Sequence, residues 1–341
     1  MEPFDVWDSV YGKHKLPHIC GLIVRSLEFQ RLRDISVMGP VVWVFPSATH
    51  SMYEHSIGAA VLANMWATSL HARFPQAVSA RDVLTVSVAA LLSQVGCMPW
   101  EYVFRNFVAA HGEKRTMRQA SAKIASLIFE RPALQRACLA SGIDAAVVQD
   151  VILGAQPESD QTRLFLYDLV HASAGPDAVS VDFLMRCDAR LGLKYGLDVH
   201  NLISNSWVGV SSHVVVNALT LATLSHLERH INRLVLCNAE VAAISVAMQS
   251  VWQRCEWIHQ VSDDMPMLLR MSDVTFRTPE FVFFYNDMLA RRFPKMTAET
   301  EFARECDAHT FMSDNPLTSG VYHMSKLKQF SSFSYIVRVF I

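Results

Sequence analysis

Residues Ser26–Leu62 read SLEFQRLRDISVMGPVVWVFPSATHSMYEHSIGAAVL. Inside this stretch, FPSATHSMYEHSIG sets His50 and His55 five residues apart, just past a turn. Ile57, Val61, Leu62 and Met65 then recur at helical spacing. Glu54, His55 and Ser56 therefore fall at the start of a helix that continues into a core. A histidine on the inner face of such a helix can hold a metal through a ring nitrogen. Taken alone, it can equally be an ordinary structural histidine. His50, in the loop before it, reads as a satisfied loop histidine.

Outward from this stretch the chain reads as mostly helical. One helix is expected over 20–36, a second over 54–73 and a third over 80–94, where Ser79 and Asp82 form an S-x-x-D capping pattern. The β-rich run between Pro40 and Pro46 predicts a brief hairpin or extended segment. Two helices are expected within 103–130 and more within 131–175, with breaks at Pro132, Gly142 and Gly154. Residues 196–217 read as short strands, Leu197–Ile203 and Val208–Val216, and 219–250 as a strong helical pair. Asp8 and Gly12 mark a turn near the N-terminus, because glycine reaches positive φ at little cost. The polar stretch Thr297–Asn315 reads as a loop.

The chain has 341 residues, 51% of them hydrophobic and 18% charged, enough to bury a large core. A net charge of −2 gives no general attraction to nucleic acid. The seven cysteines include no CxxC pair, which argues against zinc or thioredoxin-like chemistry and for reduced thiols. With no basic and apolar leader and no uninterrupted apolar run of membrane-spanning length, the expectation is an intracellular, cytoplasmic protein.

Several motifs together resemble the signature of HD-domain phosphohydrolases, and within them the SAM-and-HD-domain dNTP triphosphohydrolases. They are Phe29-Gln30-Arg31-Leu32-Arg33, Val44-Phe45-Pro46, Ala48-Thr49-His50 and Glu54-His55-Ser56-x-Gly58. The resemblance covers about residues 1–285 and implies a mainly α HD-type helical domain with short β-hairpin segments. Residues 286–341 are expected to form a C-terminal extension packed on it.

The resemblance implies four metal-ligand positions. His55 occupies the first. The His-Asp pair of the family falls on Ser93 and Gln94, in Ser93-Gln94-Val95-Gly96-Cys97-Met98-Pro99, where Gly96 and Pro99 keep the family's spacing. The last ligand falls on Val179, in Asp177-Ala178-Val179-Ser180-Val181-Asp182-Phe183-Leu184-Met185-Arg186, where Asp177, Asp182 and Arg186 match. Other family residues fall on Cys97, Tyr102, Met117, Cys237 and Ala239. Amide and hydroxyl groups bind divalent cations poorly beside carboxylate and imidazole. This predicts vestigial metal positions at His55, Ser93, Gln94 and Val179, with no metal, no cofactor and no catalysis. Asp182 and Arg186, four residues apart, are expected to form an ion pair.

Three readings follow. The first is a protein that is not an enzyme and acts as a scaffold, through self-association, a protein partner or another HD-type chain. The second is a nucleotide-binding regulator: Gln30, Arg33 and Phe45 match family residues that contact guanine in a regulatory site. There the acidic partner is replaced by Ser26, and the arginine before the first metal histidine becomes Met52. The third is an active nucleotide phosphohydrolase whose ligands come from elsewhere, for instance Asp182, Glu101 or His111. Nucleic acid and a membrane span are not expected.

Overall fold

A computed structural model describes residues 2–100, 102–110, 115–156, 161–172, 175–253 and 265–276, and the backbone of 296–302, 321–328 and 333–340. The chain divides into two units, one of residues 1–37, 50–98 and 115–224 and the other of 38–49, 99–114 and 225–341. Its architecture is mainly α, as the sequence predicts.

The first unit opens with the antiparallel hairpin β1 (Phe4–Asp8) and β2 (Gly12–Leu16). Its turn is tied by Asp8 Oδ1, which accepts from the backbone N–H groups of Val10 and Tyr11. The single helix expected over 20–36 is three pieces: α1 (His18–Val24), α2 (Leu27–Gln30) and a 3-10 turn, Arg31–Asp34. The break comes at Ser26, whose extended backbone and hydroxyl cap α2 by accepting from Phe29 N–H.

Helix α3 (Met52–Arg73) starts in a capping box: Ser51 Oγ accepts from Glu54 N–H and the Glu54 carboxylate accepts from Ser51 N–H. Every residue from Ser56 to Ala63 is buried, so α3 is the central helix of the unit. Helix α4 (Ala80–Leu92) begins in the expected Ser79–Asp82 box and is buried without interruption from Thr85 to Leu92. It packs along α3.

Beyond it lie α5 (Tyr102–Ala110, in the second unit), then α6 (Met117–Phe129), α7 (Pro132–Ser141), α8 (Ala145–Leu153), α9 (Phe165–His171) and α10 (Ala178–Leu191). Gly142 and Gly154 end α7 and α8 in the left-handed conformation, and Pro132 is the first residue of α7. Helix α10, capped by the Asp177 side chain, packs against α3.

The strand expected over Leu197–Ile203 is instead helix α11 (Val199–Ser204). Asp198 caps its start by accepting from Asn201 N–H. Arg73 caps its end, donating to the carbonyls of Ile203, Ser204 and Ser206. These end groups outweigh the strand propensity of the side chains. The hairpin that follows is short, β3 (Trp207–Val208) with β4 (Val214–Val215).

The helical pair is α12 (Ala218–Ile231) and α13 (Ala239–Trp252), joined by a π-helical turn. In the second unit the β-rich run after Pro40 is a 3-10 helix, Gly39–Trp43. Pro40 supplies a helix-start φ, and the run does not pair with a strand. Trp43 stacks on Trp100, with ring centroids 4.8 Å apart. Phe104 and Phe107 of α5 meet Trp252 edge-on. Helix α14 (Met265–Arg270) follows, then a three-stranded antiparallel sheet of β5 (Met296–Phe302), β6 (Val321–Lys328) and β7 (Phe333–Phe340), with β7 in the middle. The expected loop over Thr297–Asn315 thus begins as a strand; residues 303–315 lie outside the described residues, as do Glu101, His111 and Trp257.

Candidate functional site

His55 sits one turn into α3 and is 4% exposed. Its Nδ1 lies 2.7 Å from Asp182 Oδ2 on α10. Asp182 is fully buried and also accepts from Arg186: Nε donates to Oδ2 at 2.8 Å and Nη2 to Oδ1 at 3.1 Å. Arg186 Nη2 donates at 2.6 Å to Asp8 Oδ2, at the turn of the N-terminal hairpin. The expected Asp182–Arg186 pair is therefore real, but it belongs to a longer buried row, Asp8–Arg186–Asp182–His55.

Burial alone would pull the Arg186 guanidinium down, but Asp182 and then Asp8 raise it above its ordinary value. Tyr11, whose ring lies 6.0 Å from the guanidinium, has its phenol raised first by burial and then by the charge of Asp182. Gly58 is required by this row. A methyl group there would overlap Arg186 Nη2 and Asp182 Oδ1.

The other positions that the resemblance aligns with ligands carry no imidazole or carboxylate. Ser93 is fully buried, and its hydroxyl donates to Ala90 O at 2.8 Å. Gln94 is 7% exposed and neutral, and Val179 is apolar and buried in the first turn of α10. Among the described residues no group of three or more His, Cys, Asp and Glu side chains is arranged to hold a metal ion. Among the described residues, the side chains at 55, 93, 94 and 179 do not fit the divalent centre that the family resemblance implies, since only one of the four is an imidazole or carboxylate.

The loop that carries Ser93 and Gln94 is nonetheless held firmly. Ser121 Oγ accepts from Gly96 N–H and donates to Ser93 O. A side chain at Gly96 would overlap the Ser121 backbone. Arg31, buried, donates through Nη2 to Val95 O and Cys97 O, both at 2.9 Å. Sequence reading missed Arg31, which stands out only as an arginine between buried Phe29 and Leu32.

His50 differs from expectation. It is fully buried, and neither ring nitrogen has a hydrogen-bond partner. Burial, and next the charge of His55, lowers its imidazole to about 3. It is therefore a neutral, unsatisfied group beside the charged row.

The three candidate nucleotide residues are distributed differently from one another. Arg33 is exposed, and its guanidinium lies 3.6 Å from the centroid of the Tyr53 ring. Arg33 Nε donates to Gln30 Oε1 at 2.7 Å, and Gln30 Nε2 donates to Val24 O at 2.6 Å. Both ends of the Gln30 amide are thus occupied, while the terminal NH₂ groups of Arg33 have no partner among the described residues. Phe45 is half-buried in the second unit. Ser26 is a helix cap, Met52 is the buried first residue of α3, and Asn238 caps α13. Met117 is a half-buried residue opening α6.

No family model matches the chain. It is 27% identical over 219 residues to the deoxynucleoside triphosphate triphosphohydrolase SAMHD1 of Xenopus laevis, covering 56% of this chain and 35% of that protein. With SAMHD1 of Homo sapiens it is 28% identical over 216 residues, covering 58% of this chain and 34% of that protein. With the SAMHD1 homolog of Dictyostelium discoideum it is 24% identical over 283 residues, covering 80% of this chain and 54% of that protein. The chain thus spans about a third to a half of the length of these relatives. No single helix among the described residues is long and apolar enough to cross a membrane.

These comparisons correct the expectation that the chain is not an enzyme. The relatives carry the name of an enzyme, and so the similarity points to an enzyme family. At the level of the group, the identities of 24–28% support the resemblance to the HD-domain deoxynucleoside triphosphate triphosphohydrolases.

Proposed function

We propose that the chain is a nucleotide-binding protein related to dNTP triphosphohydrolases, and that it takes a guanine nucleotide at Arg33. The observation that supports this is the state of that arginine. An exposed arginine normally samples many rotamers. Here one face rests on Tyr53 and Nε is held by Gln30, leaving the two terminal NH₂ groups of an exposed side chain without a hydrogen-bond partner among the described residues. A fixed, forked donor pair suits the adjacent O6 and N7 acceptors of guanine, or two phosphate oxygens. Adenine offers a donor where guanine offers O6, so base preference separates the two uses.

Thermal unfolding with dGTP, GTP, dATP and ATP tests the proposal. At a hundred times its dissociation constant a ligand of the native state adds about 2.7 kcal/mol, a shift of a few degrees. Stabilisation by the guanine nucleotides that disappears in Arg33→Ala is the expected result. No shift, or an equal shift in the variant, would defeat it. Phosphate release in the same samples reads whether the bound nucleotide is hydrolysed.

A second reading, association with a protein partner or a second copy, is favoured by the β3–β4 hairpin. Val210 at its tip is fully exposed and Trp207 is 43% exposed. Asp168 holds this hairpin by accepting from His213 Nδ1 and Val214 N–H. Molecular mass by light scattering, compared with Val210→Asp, tests it: a mass above one chain that falls in the variant supports association.

A further inference from the structure

We infer that the His55 centre works without a divalent cation, its ligand groups being spent on one another and its fixed positive charge being the Arg186 guanidinium. The inference concerns a different site from Arg33, so failure of nucleotide binding leaves it standing.

A cation must compete with the donors, one of them a guanidinium, that these carboxylates already hold. Both oxygens of Asp182 accept hydrogen bonds, Oδ2 from His55 and from Arg186, Oδ1 from Arg186 again. Asp8 offers Oδ1 to two backbone N–H groups and Oδ2 to Arg186. A metal drawn to either carboxylate would sit against the buried Arg186 guanidinium, which is held between Asp182 and Asp8 and packs on Gly58. Leaving one member of such a buried pair unpartnered is strongly destabilising. His55 has only Nε2 left, and a single imidazole nitrogen does not retain a divalent ion against water. The positions that the resemblance aligns with the remaining ligands carry a hydroxyl turned to Ala90 O, a neutral amide and the valine side chain at 179.

The row also does the mechanical work of a metal. It joins the N-terminal hairpin, α3 and α10, which are 127 and 178 residues apart in sequence at its two long-range contacts. The chain therefore keeps three elements together at this point by ion pairing, and any chemistry or binding at His55 proceeds with imidazole, amide and guanidinium groups.

Manganese titration followed by electron paramagnetic resonance tests this on the full chain. The unaltered protein should leave the signal of free Mn²⁺ undiminished, and its melting temperature should not change with EDTA. A variant carrying Ser93→His, Gln94→Asp and Val179→Asp should remove free Mn²⁺ with saturation. Saturable binding by the unaltered chain that is lost in His55→Gln would overturn the inference. Failure of the folded triple variant to bind would overturn the claim that these three side chains are what exclude the ion. If the triple variant does not fold, the titration and EDTA comparison of the unaltered chain still decide the matter.

Discussion

Asp182 Oδ2 receives His55 Nδ1 at 2.7 Å and Arg186 Nε at 2.8 Å, so one buried oxygen joins two helices. Removing that carboxylate leaves the buried guanidinium with Asp8 alone and His55 Nδ1 without its acceptor. Asp182→Ala is expected to destabilise the protein by about 3–5 kcal/mol. Replacing both partners with apolar residues, Asp182→Leu with Arg186→Met, should recover part of the loss, because no buried guanidinium is left short of an acceptor and Asp8 Oδ1 keeps its two backbone donors. Urea unfolding of the single and double variants checks this; strictly additive losses would contradict it.

Gly58 has no room for a methyl group beside Arg186 and Asp182. Gly58→Ala must therefore push apart α3 and α10 or break the row. A loss of about 1–3 kcal/mol is expected from overpacking alone. By contrast Gly192, which ends α10 with φ +66 and has nothing within 4 Å of its would-be side chain, should show only the smaller cost of a strained backbone. The relative midpoints of Gly58→Ala and Gly192→Ala in urea measure the difference.

Arg31 holds the loop after α4 through two carbonyls. Arg31→Ala is expected to cost about 1.5–3 kcal/mol and to speed amide hydrogen exchange in residues 93–98 before the rest of the unit. Uniform acceleration across α3 and α4 would show that Arg31 supports the whole core and not this loop.

His50 contributes to the acid limb of stability. Its imidazole is lowered from 6.5 to about 3 by burial, and the groups acting on it are His55, Arg186, Asp182 and Arg190. Above pH 6.5 it is neutral in both states and contributes no pH dependence. As pH falls below 6.5 the unfolded chain takes up a proton that the native protein refuses, so stability drops by up to about 1.4 kcal/mol per pH unit until the native group titrates near 3. His50→Leu should flatten this slope and, by removing two unsatisfied ring nitrogens, should not destabilise at neutral pH. Urea midpoints from pH 4 to 8 for both proteins test it.

How far the sequence carries the account depends on where the deciding forces lie. Helices α3 and α4 were legible because their signals are local: apolar spacing from Ile57 in α3, and Ser79 with Asp82 at the start of α4, while the Ser51–Glu54 box emerged only in the structure. The break at Ser26 was not, since the same serine reads as a helix interior until its hydroxyl is seen on Phe29 N–H. Residues 197–203 were misread because the group that completes α11, Arg73, lies about 130 residues away in sequence. The Pro40–Pro46 run carried strand propensity without a partner strand. At the site, the Asp182–Arg186 pair follows from four-residue spacing, but its continuation to Asp8 and His55 is a tertiary fact. The unsatisfied state of His50 is likewise invisible in sequence, because it depends on what does not surround the ring.

The proposed nucleotide recognition rests on Arg33, stacked on Tyr53 and bonded to Gln30. Isothermal titration of dGTP into the full chain and into Arg33→Ala, each with EDTA and with Mn²⁺, tests it most directly. The account predicts saturable binding by the unaltered protein, present in EDTA and at least tenfold weaker in Arg33→Ala, about 1.4 kcal/mol. No binding, or binding of equal strength in Arg33→Ala, would contradict it.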